Sequence, residues 1–251
     1  MNAGQRVLIF GLNSAIAHAT ARLLVQRGCH LYGVGRNPAK LAAALDDLRV
    51  RAGPDQRVDG CQANLDDLPG QAALFDRAIT AMGGIDVVLI AHGTLPDQQA
   101  CQADLALAVA ALHTNALSAV TLAEEAARRM VSQASGSIVV IGSVAGDRGR
   151  QSNYVYGAAK GMVALYLQGL RNRLAPAGLQ VLTVKPGFVD TPMTAGFARK
   201  GLLWAQPDRI ARGILRALDR RRDVVYVPGF WRWIMLLIRL IPERVFKRLH
   251  L

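Results

Sequence analysis

Short apolar, β-prone runs alternate with longer stretches of helical spacing along most of the chain, and this alternation limits the possible folds more than any other feature. Arg6–Phe10, His30–Val34, Arg57–Cys61, Asp86–Ile90, Ser137–Ile141, Leu179–Val184 and Val224–Val227 read as strands. Several of them are apolar almost throughout, which is the pattern of strands buried on both faces. Between them, Ala15–Arg27, Asn37–Arg51, Leu68–Met82, Leu105–Gln133, Tyr154–Leu174 and Pro207–Arg220 carry helical spacing. Leu105–Gln133 reads as one helix or two. Such alternation builds a parallel sheet with helices on both faces. The expectation is an α/β fold: one doubly wound domain over residues 1–228, followed by an amphipathic tail over residues 229–251.

The 251 residues suffice for one such domain with a full core, and a hydrophobic content of 51% excludes a disordered chain. Cys29, Cys61 and Cys101 lack paired spacing, so neither a disulfide framework nor a zinc site is expected, and no metal. The net charge of +12 is local. Residues 1–198 carry +3, whereas residues 199–251 hold thirteen Lys and Arg against four acidic residues, a net of +9. A basic C-terminal fifth implies a local anionic partner rather than a nucleic-acid-binding body. Only Met1–Gln5 precede the first strand, which leaves no room for a signal peptide. The expected location is the cytoplasm, with the inner face of the membrane as a further possibility.

The first strand runs into Gly11-Leu12-Asn13-Ser14-Ala15-Ile16-Ala17, which opens a helix. In a dinucleotide-binding fold, backbone N–H groups and the helix N-terminus of this turn face a pyrophosphate, and small residues let the backbone approach. Gly11, Asn13, Ser14 and Ile16 are the candidates here. Arg36 follows the second strand, where an adenosine ribose lies. An arginine there pairs with a 2′-phosphate, which favours NADP(H), with NAD(H) the alternative. Asn64 and Leu65 follow the third strand, beside the adenine. The fourth strand enters Ala91-His92-Gly93-Thr94, a small-residue turn of which Ala91 and Gly93 pass the cofactor; His92 reads as structural.

Ser143 lies two residues past the fifth strand, where ligands of parallel sheets bind. Thirteen residues later comes Tyr156-Gly157-Ala158-Ala159-Lys160, whose spacing of four sets Tyr156 and Lys160 on one helical face. Carbonyl reduction needs hydride at carbon and a proton at oxygen. Lys160 is expected to bring the Tyr156 phenol toward working pH, and Ser143 to polarise the substrate oxygen. Tyr154 lies off that face.

These elements, in this order and spacing, resemble the short-chain dehydrogenase/reductase family over about residues 5–228. The resemblance implies a Rossmann-type fold and a catalytic Asn115, holding a water that links Lys160 to solvent. It also implies that Pro186, Gly187, Val189 and Thr191, within Lys185–Thr194, hold the nicotinamide end of the cofactor. Ala15, Ala17 and Asn64 depart from the family's usual residues. Homodimers or homotetramers, through the helices of Leu105–Gln133 and Tyr154–Leu174, are usual for the family.

From Gly229 the chain is rich in tryptophan, aliphatic and basic residues. Arg232, Arg239 and Pro242 interrupt it, so it does not make a spanning helix. It reads as an interfacial helix on anionic lipid, or else as a tail packed on its own core or on a second subunit. The phosphate-loop alanines, Gly146–Gln151 and this tail are similar to the decaprenylphosphoryl 2-keto-pentose reductase branch of the family, the second half of a 2′-epimerase. That branch implies a polyprenyl-phosphate-linked ketone, supplied by a flavin-dependent oxidase partner. Arg148 and Arg150 are candidates to meet the substrate phosphate, or else form a solvated basic loop. Another lipid-like ketone, such as a 3-ketoacyl or sphingoid chain, and a non-catalytic cofactor-binding scaffold are the alternatives.

Overall fold

The computed structural model describes residues 2–197 and 201–249; residues 198–200 and the last two residues of the tail, 250–251, lie outside the described residues. Seven strands form one sheet: β1 (Arg6–Phe10), β2 (His30–Gly35), β3 (Val58–Gln62), β4 (Val87–Ile90), β5 (Ser137–Ile141), β6 (Gln180–Pro186) and β9 (Val224–Val227). Their order is β3-β2-β1-β4-β5-β6-β9, all parallel. The strand order reverses between β1 and β4, the switch point where α/β sheets bind ligands.

Alternation along the strands sends side chains to two cores. On one face Leu8, Phe10, Val88, Ile90 and Val140 pack under α3 (Gln71–Met82), α6 (Ser118–Met130) and α7 (Tyr154–Leu174). Phe10 and Phe75 meet there with ring centroids 5.1 Å apart. On the other face Val7, Ile9, Leu89, Val139 and Leu182 pack under α1 (Ala15–Gln26), α2 (Pro38–Arg51) and α8 (Pro207–Asp219). This is the single-domain, doubly wound α/β fold that the alternation predicts.

Three features lie outside the expected pattern. A short helix, α4 (Gln98–Ala103), precedes α5 (Leu105–Leu112), and Asp97 and Asp104 cap their N-termini. The Leu105–Gln133 run breaks into α5, a π-helical turn at His113–Leu117 and α6. By length and composition the run could cross a membrane, yet its inner residues Ala116, Ala119, Leu122, Ala123 and Ala126 belong to the core. Finally, β7 (Phe188–Val189) and β8 (Trp204–Ala205) pair as a small second sheet above the cleft.

The tail folds back. After the cis Val227–Pro228 bond, α9 (Trp231–Leu240) lies against the Val144–Asp147 turn and β9, and α10 (Glu243–Phe246) meets Arg148 through Glu243 and Phe246. Trp231 and Met235 are buried with Val144, beside Phe188, Tyr226 and Ile238. A virtual Cβ on Gly187 falls 1.9 Å from Trp231 Nε1, so only glycine lets the indole seat. Of the two readings of the tail, packing on its own core therefore holds for one face of α9.

Candidate active site

One cleft of about 530 Å³ opens at the C-terminal edge of the sheet. Gly11, Asn13, Ser14, Ile16, Arg36, Asn64, Leu65, Ala91, Gly93, Ser143, Tyr156, Lys160, Pro186, Gly187, Val189 and Thr191 all line it. Strand ends set these residues side by side although they are scattered along the chain. Asn115 is fully buried just behind the wall.

At the switch point Gly11 takes φ +87°, and a Cβ there would stand 2.6 Å from His92 N. Only glycine permits both this conformation and this approach of β1 to β4. Ser14 precedes α1 without making a side-chain cap, and no acidic residue sits in the first turn. The free N–H groups and the positive end of the helix dipole therefore face the cleft. Asn13 Nδ2 is buried there without a partner. Arg36 is exposed at the cleft's far end, together with Asn37 and Lys40. Asn37 caps α2 by accepting from Lys40 N at 2.9 Å. Sequence reasoning missed Lys40, which lies one helical turn past Arg36. This donor set fits a dinucleotide carrying a 2′-phosphate: a helix N-terminus for the pyrophosphate and a cationic pair for the extra anion.

His92 lines the cleft and is held through one ring nitrogen. Its Nε2 lies 2.9 Å from Ser118 Oγ, which donates to Leu65 O at 2.6 Å. Burial first, and then the charge of Lys160, lower its pKa to about 3, so it stays neutral.

At the other end, Tyr156 and Lys160 project from successive turns of α7, with Lys160 Nζ 5.7 Å from the phenol ring centroid. Burial lowers the Lys160 pKa to about 8. The phenol behaves differently from the sequence expectation. Burial pushes Tyr156 up to about 12, and only Ser143 acts in the opposite direction. The ammonium over the ring does not offset desolvation, so the phenol is held neutral. Ser143 Oγ accepts from Ala145 N at 3.1 Å, which fixes the hydroxyl at the mouth of the 3₁₀ turn Val144–Asp147. Tyr154 is exposed and off the site.

Asn115 sits in the π-helical turn, a distortion that recurs at functional sites. Its Oδ1 accepts from Thr94 N at 2.9 Å and its Nδ2 donates to Ala111 O at 3.0 Å. A virtual Cβ on Gly93, itself at φ +152°, would meet Asn115 Oδ1 at 2.7 Å and Lys160 Nζ at 3.5 Å. Both groups thus close on one point, and a side chain at residue 93 would block it.

The two arginines after Ser143 separate. Arg148 donates to Ile238 O, Arg239 O and Ile241 O at 2.8, 3.1 and 2.6 Å, pairs with Glu243, and stacks on Phe246 at 3.8 Å. It caps the C-terminus of α9, so the expectation that it meets a substrate phosphate is corrected: its donors are consumed by the tail. Arg150, in contrast, lines the cleft. Sequence reasoning also missed Lys185, Asp147 and Tyr226. Asp147, 2% exposed in its side chain, receives both the Lys185 ammonium and the Tyr226 hydroxyl.

The pattern of the short chain dehydrogenase family matches residues 5–201. An uncharacterized oxidoreductase of Mycobacterium tuberculosis is 35% identical over 97% of this chain and 96% of its own, so that likeness runs well into the tail. The 3-oxoacyl-[acyl-carrier-protein] reductase of Bos taurus is 32% identical over 74% of this chain and 76% of its own. A short-chain dehydrogenase from Sphingobium yanoikuyae, solved with NADPH, superposes with a TM-score of 0.80 at 27% identity, covering 95% of this chain and 97% of its own. With the seven-stranded sheet, the glycine turn and the Ser143, Tyr156 and Lys160 cluster in place, the chain belongs to the short-chain dehydrogenase family and is an NAD(P)-dependent oxidoreductase.

Proposed function

We propose that this protein is an NADPH-dependent ketone reductase with Tyr156 as its acid. The observation that carries the reading is the convergence of Ser143, Tyr156 and Lys160 on one cleft whose far end presents Arg36 and Lys40. Bound NADPH supplies the hydride to the carbonyl carbon. Ser143 orients the carbonyl oxygen, and Tyr156, kept protonated by burial, gives its proton to that oxygen as charge develops. Lys160, charged below about pH 8, stabilises the phenolate left behind and holds ribose hydroxyls. Asn115 keeps a water beside Lys160 that returns a proton from solvent. Gly11, Asn13, Ser14 and Ile16 receive the pyrophosphate, and Arg36 the 2′-phosphate. Asn64, Leu65, Ala91 and Gly93 border the adenosine, while Pro186, Gly187, Val189 and Thr191 position the carboxamide.

Within this class the substrate we favour is the 2-keto group of a polyprenyl-phosphate-linked pentose, made by a flavin-dependent oxidase partner. The support is the resemblance of the loop and tail, together with what the tail exposes. Trp233, Leu236, Leu237 and Leu240 face outward on α9, alongside Arg232, Arg239 and Arg244. A one-sided apolar stripe flanked by arginines suits the headgroup layer of an anionic membrane, at the cytoplasmic side. A 3-ketoacyl chain is the second reading, favoured by the bovine relative. Exposed Leu105, Val109, Met162 and Leu165 on α5 and α7 form the face through which a homodimer or homotetramer would assemble.

The test is nicotinamide oxidation by the purified protein with NADPH and NADH against a polyprenyl-phosphoryl 2-keto-pentose, a long-chain 3-ketoacyl thioester and a water-soluble keto sugar. Turnover of the first alone is expected. Turnover of the second alone moves the enzyme to acyl metabolism, and turnover of none leaves a cofactor-binding scaffold.

A further inference from the structure

Arg150 is a half-buried cation that lines the cleft and whose Nε has no partner. Its Nε is shielded from solvent and makes no hydrogen bond, and no carboxylate lies within ion-pair distance among the described residues. A guanidinium N–H shielded from water without an acceptor is costly, and such groups are ordinarily paired or left in solvent. The carboxylate whose charge reaches it, Asp147, is engaged by Lys185 and Tyr226. Desolvation accordingly lowers the Arg150 pKa, and the attraction of Asp147 does not make up the difference.

The loop that carries Arg150 is rigid at its base. A Cβ on Gly146 would fall 2.6 Å from the Lys160 backbone, so the loop is pressed directly on α7 beside the catalytic lysine. Arg148, two residues before Arg150, is clamped by the tail helix. The guanidinium of Arg150 is thus preorganised in the wall that also holds Ser143, Asn153 and Tyr156. The cofactor's phosphates have their own donors at Gly11–Ile16 and at Arg36, away from this wall.

We infer that Arg150 is the specificity residue of the cleft: it recognises an anionic group, a phosphate ester or a carboxylate, carried by the substrate close to its ketone. The inference rests on the reductase reading for the word substrate, but the anion site can be tested without turnover.

Calorimetry on protein saturated with NADP⁺, titrated with farnesyl phosphate, farnesoate and farnesol, gives the first readout. Tighter binding of either anion than of farnesol by at least about tenfold is expected, lost in Arg150→Met and partly restored in Arg150→Lys. Whether phosphate or carboxylate binds better tells which source of charge the site prefers. Equal binding of all three probes by the wild type overturns the inference, whatever the variants do. The second readout is the ratio of kcat/KM for an anionic ketone to that for a neutral one. A fall of at least about tenfold in Arg150→Met supports the inference, and an unchanged ratio overturns it. If no ketone is reduced but anion binding still depends on Arg150, the reductase reading fails and the anion site stands.

Discussion

At the cofactor end the cleft is made largely of backbone: the Gly11 turn, the open N-terminus of α1 and the tight Gly93 crossing all use positions where a side chain would collide. At the substrate end it is made of side chains drawn from the second half of the chain. There Phe188 stacks on Trp204 at 5.3 Å and meets Trp231 edge-on at 5.4 Å, while Arg148 reaches across to close α9. The first construction depends on local geometry, so it is shared by any chain that folds this way. The second depends on contacts between segments about 90 residues apart, as between Arg148 and Ile241. The cofactor end is therefore largely common geometry of the fold, whereas the walls of the substrate end are particular to this chain.

The largest expected effect joins the two ends. Tyr156→Phe removes the proposed proton donor at the meeting point, and ketone reduction should drop about 1,000-fold with NADPH affinity and Tm little changed; a parallel loss of affinity would show that the phenol holds the cofactor. Arg36→Ala should raise the KM for NADPH about 10- to 100-fold and leave that for NADH alone, since a charge-assisted bidentate pair is lost. An equal effect on both cofactors would remove the 2′-phosphate role.

Lys160 separates function from stability. Its pKa is lowered to about 8, so below pH 8 the fold carries a buried charge that the unfolded chain holds in water. The wild-type turnover should fall as pH rises through about 8 and the ammonium is lost. Lys160→Met should cost most of the activity yet stabilise the fold by on the order of 3 kcal/mol at pH 7. That stabilisation should fade as pH rises from 8 through 10.5, above which neither state of the wild type is protonated. A Tm that falls in the variant at pH 7 would show that Lys160 is paired rather than merely buried.

The smallest effect is expected at the tail's outer face. Leu237→Glu should weaken co-sedimentation with anionic vesicles about tenfold and leave reduction of a soluble ketone as it was. Unaltered sedimentation would leave the exposed stripe to a protein partner.

Periodicity located all seven strands of the main sheet to within two residues; the central ones have to be apolar because they are buried on both faces, whereas the half-exposed edge strand β3, Val-Asp-Gly-Cys-Gln, carries a weaker signal. Residue spacing likewise placed Tyr156 and Lys160 together, since a helix returns to the same face after four residues. The Gly11 turn was legible because only glycine takes φ +87° against the neighbouring strand. What stayed hidden was whatever depends on long-range packing. The π-helical turn at Asn115, packed with α5 and α6 against α7, has no sequence signature. The upward shift of the Tyr156 phenol could not be read from a neighbouring lysine, since burial outweighs that charge. Arg148 and Arg150 are two letters apart and chemically identical in the sequence. Only the folded chain, by laying α9 against one and the cleft against the other, makes the first a helix cap and leaves the second unpaired.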